Sequence, residues 1–412
     1  MKDLTKYWFG FALFFFFITA LAGLTLRWLP LQNFIDNSYY FGILQSHSHT
    51  GFLGWIYIAL YILILRSFGR SSILNLRKTN IILAILSFLL LAMYISFPFD
   101  NYGAFSITFL SLFLIFSYYS LVYLYKNIDS AYKNNISKKF ILIAIIFYFI
   151  SSISPWLLGP IIAMGYKKTA LYYNNIFFYL HFLYNGYIFF AIAGLFLKDI
   201  EDKNISKELN IKLRRVLLLL TTGTVLNYSE SLLWNKPPVY MHIIAFLSSV
   251  LIFWALIIIF KISIKTKIHF PGITKVIFSV VIFSLLLKSI LHFFQSIPYF
   301  SRISYEFKGQ FIIGYIHLIT LGLFSLFVIA YSLKHNLLKT SKTFNTGILI
   351  FISGFIATEL LLFGQGILLW NNMGILLQLY NPLLFYFSLL MFLGISIIMI
   401  SYSTTKKENL PA

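Results

Sequence analysis

The sequence predicts an all-α integral membrane protein, a single domain spanning 1–412 built from twelve transmembrane helices. Three observations predict it. The composition is 59% hydrophobic and only 11% charged over 412 residues, whereas soluble domains run at roughly 45–50% and about 25%. The apolar residues gather into runs of about 20, the length a helix needs to cross a bilayer, and no open strand can cross because lipid satisfies no backbone polar group. The basic residues alternate with those runs.

The runs lie at 7–26, 41–65, 79–97, 105–125, 140–163 and 174–197, then at 216–233, 240–260, 276–294, 310–332, 345–369 and 379–402. Taken in this order, the N-terminus and every second loop hold 25 of the 32 Lys and Arg, and the intervening loops hold 6. The last, Lys288, lies inside the ninth run, near enough to its outer end for the side chain to snorkel. A missed or invented span would destroy that alternation. The positive-inside rule then puts both termini in the cytoplasm. The formal charge of +20 therefore coats one membrane face and meets anionic lipid heads; it implies no nucleic-acid partner.

The first run follows Lys2 and Lys6 and contains Ala20-Leu21-Ala22, a signal-peptide-like arrangement. Cleavage there would leave eleven spans, so an uncleaved span is the expectation. The stretch Lys198 to Arg215 is the most charged and separates two sets of six runs, between which no residue-level repeat is expected. There are no cysteines. Disulfides, iron–sulfur clusters, thiolate zinc and covalent c-type haem are thereby excluded, and histidine, carboxylate, tyrosine and non-covalent cofactors remain.

Six of the eight histidines fall at one depth. His47 and His49 open the second run, His181 lies early in the sixth, His242 begins the eighth, His317 is about two turns into the tenth, and His292 is near the outward end of the ninth. With the predicted topology all six occupy the outer third of the membrane, while His269 and His335 fall in cytoplasmic loops. Intramembrane imidazole is costly and usually faces a bundle interior or a cavity, and neutral imidazole binds haem iron, copper, iron or zinc. The competing reading, a half-polar ring at the headgroup interface, applies most to His47, His242 and His292. His47 and His49 are about 200° apart on a regular helix, so one metal cannot take both. Gly51 and Gly54 after that pair, and Gly314 and Gly322 around His317, would let a helix or a flat macrocycle come close.

These motifs resemble subunit I of the haem-copper oxidase superfamily, including the nitric-oxide reductases. The segment SHSHTGFLGW resembles the family's second helix, and GYIHLITLGLFSLF resembles its tenth. The resemblance implies His49, the better match of the pair it forms with His47, and His317 as the two axial ligands of a low-spin, non-covalent haem b. The segment FYLHFLYNGYIFFAIAGLF resembles the sixth helix and implies His181 as a copper ligand. The seventh helix departs from the family, reading Asn227-Tyr228-Ser229-Glu230-Ser231 where two adjacent histidines are expected. Tyr315 stands where the second tenth-helix histidine would be, and Asn185, beside Tyr184, stands where relatives carry tyrosine or glutamate. A rebuilt site for copper or a second haem would draw on His181, His242 and His292. The resemblance further implies a bacterial inner-membrane protein working in or beside respiration, with an electron donor or a respiratory partner subunit, and oxygen or nitric-oxide chemistry if a second metal is held.

Three more polar residues in or at the ends of the runs are candidates for proton transfer. Glu359 sits among Leu and Phe in the eleventh run, and Glu230 and Tyr228 end the seventh at histidine depth. A twelve-span secondary transporter without haem is the alternative function. The loop Arg66-Ser67-Phe68-Gly69-Arg70 lacks the acidic residue of the common transporter signature, and few ionisable groups lie at mid-membrane, where transport sites form.

Overall fold

A computed structural model describes residues 1–32, 37–69, 74–203, 206–267, 270–373 and 377–407. His269 and Arg70, both assigned above to loops, lie outside these residues. Among the described residues twelve helices are long and apolar enough to cross a membrane, and each contains one of the predicted runs. They are α1 (Asp3–Leu31), α2 (Asn37–Phe68), α3 (Leu76–Asp100), α4 (Ala104–Lys126), α5 (Ile136–Ala163) and α6 (Ala170–Glu201), followed by α7 (Lys207–Asn235), α8 (Val239–Lys265), α9 (Ile273–Ser296), α10 (Lys308–Lys334), α11 (Lys342–Trp370) and α12 (Leu379–Thr404). Among those residues the only β pairing is a bridge of Gly69 with Ile128. The chain is a multi-pass, all-α membrane protein.

Helix starts use local side chains where the sequence offers them. Asn75 accepts from the Lys78 amide at 2.9 Å, Ser206 from Leu209 at 3.1 Å and Ser341 from Phe344 at 3.0 Å, each satisfying an amide that the first turn leaves unpaired. At the start of α5 Asn135 makes no such bond. There Glu201, from the end of α6, accepts the Ile136 amide at 2.7 Å and the Ser137 amide at 3.2 Å, as well as the Ser137 hydroxyl.

The helices divide into two compact units, one made of Met1–Ile128 with the chain from Ile316 onward, the other of Asp129–Tyr315. In the first, small residues bring helices together. A Cβ on Gly394 of α12 would lie 2.6 Å from the Phe351 backbone nitrogen of α11, and one on Gly54 of α2 would lie 2.9 Å from the Phe15 ring of α1. Membrane helices associate through such close approaches, because lipid gives no hydrophobic drive between them. In the second unit Gly186 of α6 takes Phe147 of α5 in the same way, at 2.7 Å.

A repeat does run through the chain, in thirds instead of halves. His49, His181 and His317 are each followed at once by a π-helical segment, Thr50–Ile56, Phe182–Ile188 and Leu318–Ser325 respectively. Each is also followed five residues later by glycine, at Gly54, Gly186 and Gly322. The helices concerned, α2, α6 and α10, are four spans apart and are the most buried of the twelve, at 78%, 83% and 61%, where no other exceeds 50%. π-helical turns are rare and frequent at functional sites, and here they coincide with these three histidines.

Candidate functional site

In the first unit, His47 and His49 face different ways, as their spacing requires. His47 Nδ1 donates to the Thr19 carbonyl at 2.8 Å, which leaves the lone pair of a neutral ring on Nε2. Its ring lies against Gly23 of α1, where a Cβ would come within 2.8 Å of Cε1. His49 turns to the other side. Its ring stacks on Phe97 at 4.9 Å and 4°. The Tyr102 hydroxyl donates to Gln45 Oε1 at 2.7 Å, so it accepts from His49 Nε2 at 3.2 Å. The ring nitrogen that His47 keeps open is the one that His49 has engaged.

His317 has its Nδ1 buried with no hydrogen-bond partner among the described residues. Electrostatically it lies within reach of His47 and Arg27. Arg27 in turn reaches Glu359, whose two carboxyl oxygens are buried without a hydrogen-bond partner, as are both polar atoms of Gln365. Arg27, His47, His317 and Glu359 thus share one polar neighbourhood in the apolar first unit. Buried polar atoms left unpaired are expensive, which sets this neighbourhood apart from the apolar helices around it. Of the expected haem ligands, His47 and His317 are the two that this neighbourhood contains. His49, first of the expected ligands, is held on Phe97 and Tyr102 and sits apart from that neighbourhood. Arg27 could have been found from sequence by its place inside the long first helix.

In the second unit, the three histidines expected at a copper or second haem site are each committed to protein partners. His181 donates from Nε2 to the Thr224 carbonyl at 2.9 Å and accepts at Nδ1 from Asn185 at 3.3 Å. His242 donates from Nδ1 to the Ser296 carbonyl at 3.0 Å. His292 bonds Glu230 through Nδ1 at 2.5 Å, and at Nε2 it meets Lys288 Nζ at 2.7 Å and the Tyr315 hydroxyl at 3.3 Å. Among the described residues no three His, Cys, Asp or Glu side chains are grouped to hold a metal ion. With both nitrogens of His181 and of His292 engaged, this arrangement does not fit copper.

Instead the unit holds a buried charged cluster. Asn227 donates to Glu230 Oε2 at 2.7 Å and also bonds Ser248 at 3.0 Å. Tyr228, expected beside Glu230, points away and donates to the Asn174 carbonyl at 3.2 Å. Lys288 does not snorkel. It is 6% exposed and its ammonium lies over the Phe189 ring at 5.7 Å. The signal was its four-residue spacing from His292, which puts both on one helix face. No protein-family model matches this sequence, and no curated protein matches it.

Proposed function

We propose that the chain is a haem-binding electron carrier of a bacterial inner membrane, built on the bundle of the haem-copper oxidases, with both termini cytoplasmic. The observation that carries this reading is His317, an intramembrane imidazole whose buried Nδ1 has no hydrogen-bond partner among the described residues, within electrostatic reach of a second imidazole, His47, whose Nδ1 is held by Thr19 and whose Nε2 keeps the lone pair. A haem iron held there by two imidazoles would supply one-electron transfer. His47 and His317 would hold it. Thr19 fixes the orientation and tautomer of His47 through Nδ1, as outer partners of metal-binding histidines commonly do. Arg27 would offer a positive charge to the bound group, and Glu359 would offer a buried carboxyl for a proton that follows the electron. An electron donor or respiratory partner subunit would complete the path.

The test is the absorption spectrum of the purified full-length chain, oxidised and dithionite-reduced, with haem measured per polypeptide. A Soret band and a sharp reduced α-band are expected, lost in His47→Ala and in His317→Ala and retained in His49→Ala. A colourless, folded preparation from haem-replete cells overturns the proposal and leaves the twelve-span transporter as the better reading.

A further inference from the structure

The cluster in the second unit has a property that its bond directions reveal. An ammonium has hydrogens and no lone pair, so Lys288 Nζ donates to His292 Nε2 at 2.7 Å. Nε2 is then the bare nitrogen, and Nδ1 carries the ring hydrogen that it donates to Glu230 Oε2 at 2.5 Å. Ammonium, imidazole and carboxylate form an unbroken line of two hydrogen bonds with no net charge. The same heavy-atom positions admit a second distribution. The Nζ–H bond breaks as an Nε2–H bond forms, and the Nδ1–H bond breaks as an Oε2–H bond forms. Two protons have then moved in one direction. The lysine has become an amine, the glutamate a carboxylic acid, and the ring has exchanged tautomers. No proton has been gained or lost.

Burial opposes the ion pair, because charges leave water at a cost, while the short hydrogen bonds favour it. The two distributions are therefore closer in energy here than they would be in water. The ends of the line also differ. Glu230 has 13% of its side chain exposed against 5% for His292, whereas Lys288 is closed off over Phe189. The line opens at its carboxylate. Other groups facing it are the Tyr315 hydroxyl of α10, 3.3 Å from Nε2, and His181 and Tyr184 of α6, which reach Glu230 electrostatically. Asn227 fixes Oε2 from α7.

We propose that Lys288, His292 and Glu230 form a proton relay within the membrane, in which the imidazole passes a proton between the lysine amine and the glutamate carboxyl. It rests on contacts of the second unit alone and holds whether or not haem is bound in the first. The test is infrared spectroscopy of the full-length chain in lipid nanodiscs. At neutral pH a band of a protonated carboxyl is expected, identified as Glu230 by its loss in Glu230→Gln, and shifting in D₂O. Lys288→Arg keeps the positive charge but cannot give up its proton, so it should lose the same band. Tyr315→Phe, off the line, should keep it. A static ion pair gives no such band. Its absence from the wild type, or its survival unchanged in Lys288→Arg, overturns the relay. The wild-type spectrum decides the first point even where a variant fails to fold.

Discussion

The indole Nε1 of Trp55 donates to Ser325 Oγ at 2.8 Å, joining the π-helical segment of α2 to that of α10 across 270 residues of sequence. Ser325 in turn donates to the Thr320 carbonyl at 2.7 Å, within its own π segment. Trp55 is 1% exposed, so the indole N–H has no water to fall back on. Trp55→Phe removes the donor and leaves Ser325 its local bond. A loss of about 1 kcal/mol is expected, read as a lower unfolding midpoint of the purified chain in detergent. An unchanged midpoint would mean the bond is not part of the native balance.

The α11–α12 crossing depends on glycine more strictly. A Cβ at Gly394 meets the Phe351 amide nitrogen at 2.6 Å and the Gly347 carbonyl at 2.7 Å. These are backbone atoms, which cannot swing aside as a side chain can. Gly394→Ala should force the helices apart and cost about 1–3 kcal/mol. At Gly186 the nearest obstruction is the Phe147 Cβ at 2.7 Å, fixed almost as firmly by its own backbone, and at Gly54 it is the Phe15 Cγ at 2.9 Å, so the cost of alanine should fall in the order Gly394, Gly186, Gly54. Ranking the three variants by thermal unfolding checks the order.

How much of this was legible in sequence depends on what enforces each feature. Lipid imposes length and apolarity residue by residue, so twelve helices follow from hydropathy and charge alternation alone. The spacing of His47 and His49 shows that they must part, but which one meets His317 depends on where α1 presents Thr19 and Gly23, a matter of packing. Lys288 and His292 were visibly on one face, yet the direction of that face was not, and an inward lysine reads like a snorkelling one. The recurrence of histidine with glycine five residues on was present in the letters. A comparison of halves hides it, because its period is four spans. The π segments themselves leave no compositional trace, since the turn that widens is built from ordinary apolar residues.

Gly23 provides a test of His47 that leaves the imidazole intact. A side chain at Gly23 would meet the ring at 2.8 Å and push it off the Thr19 carbonyl. Gly23→Val should therefore lower haem per polypeptide several-fold while the helical circular dichroism is retained. Equal haem content in wild type and variant would show that the place of His47 against α1 is immaterial to binding.

The junction of α5 and α6 supports a last prediction. Glu201 is 4% exposed, and its carboxylate is shared by the first two amides of α5 and the Ser137 hydroxyl, with no bond from the neighbouring Asn135 side chain. A negative charge there also meets the positive end of the α5 dipole. Three donors converge on two oxygens, an arrangement that suits a carboxylate and frustrates an amide, which would turn its own N–H₂ toward one set of donors. Glu201→Gln should accordingly weaken the α5 start by about 1–3 kcal/mol, equivalent to roughly 5- to 150-fold in the local opening equilibrium. Hydrogen–deuterium exchange of the peptide containing Ile136 and Ser137 should accelerate accordingly, while exchange in α11 and α12 of the other unit stays unchanged. Uniform acceleration throughout the chain would instead mean that the cap supports the whole fold, and no acceleration would mean that water replaces the carboxylate without cost.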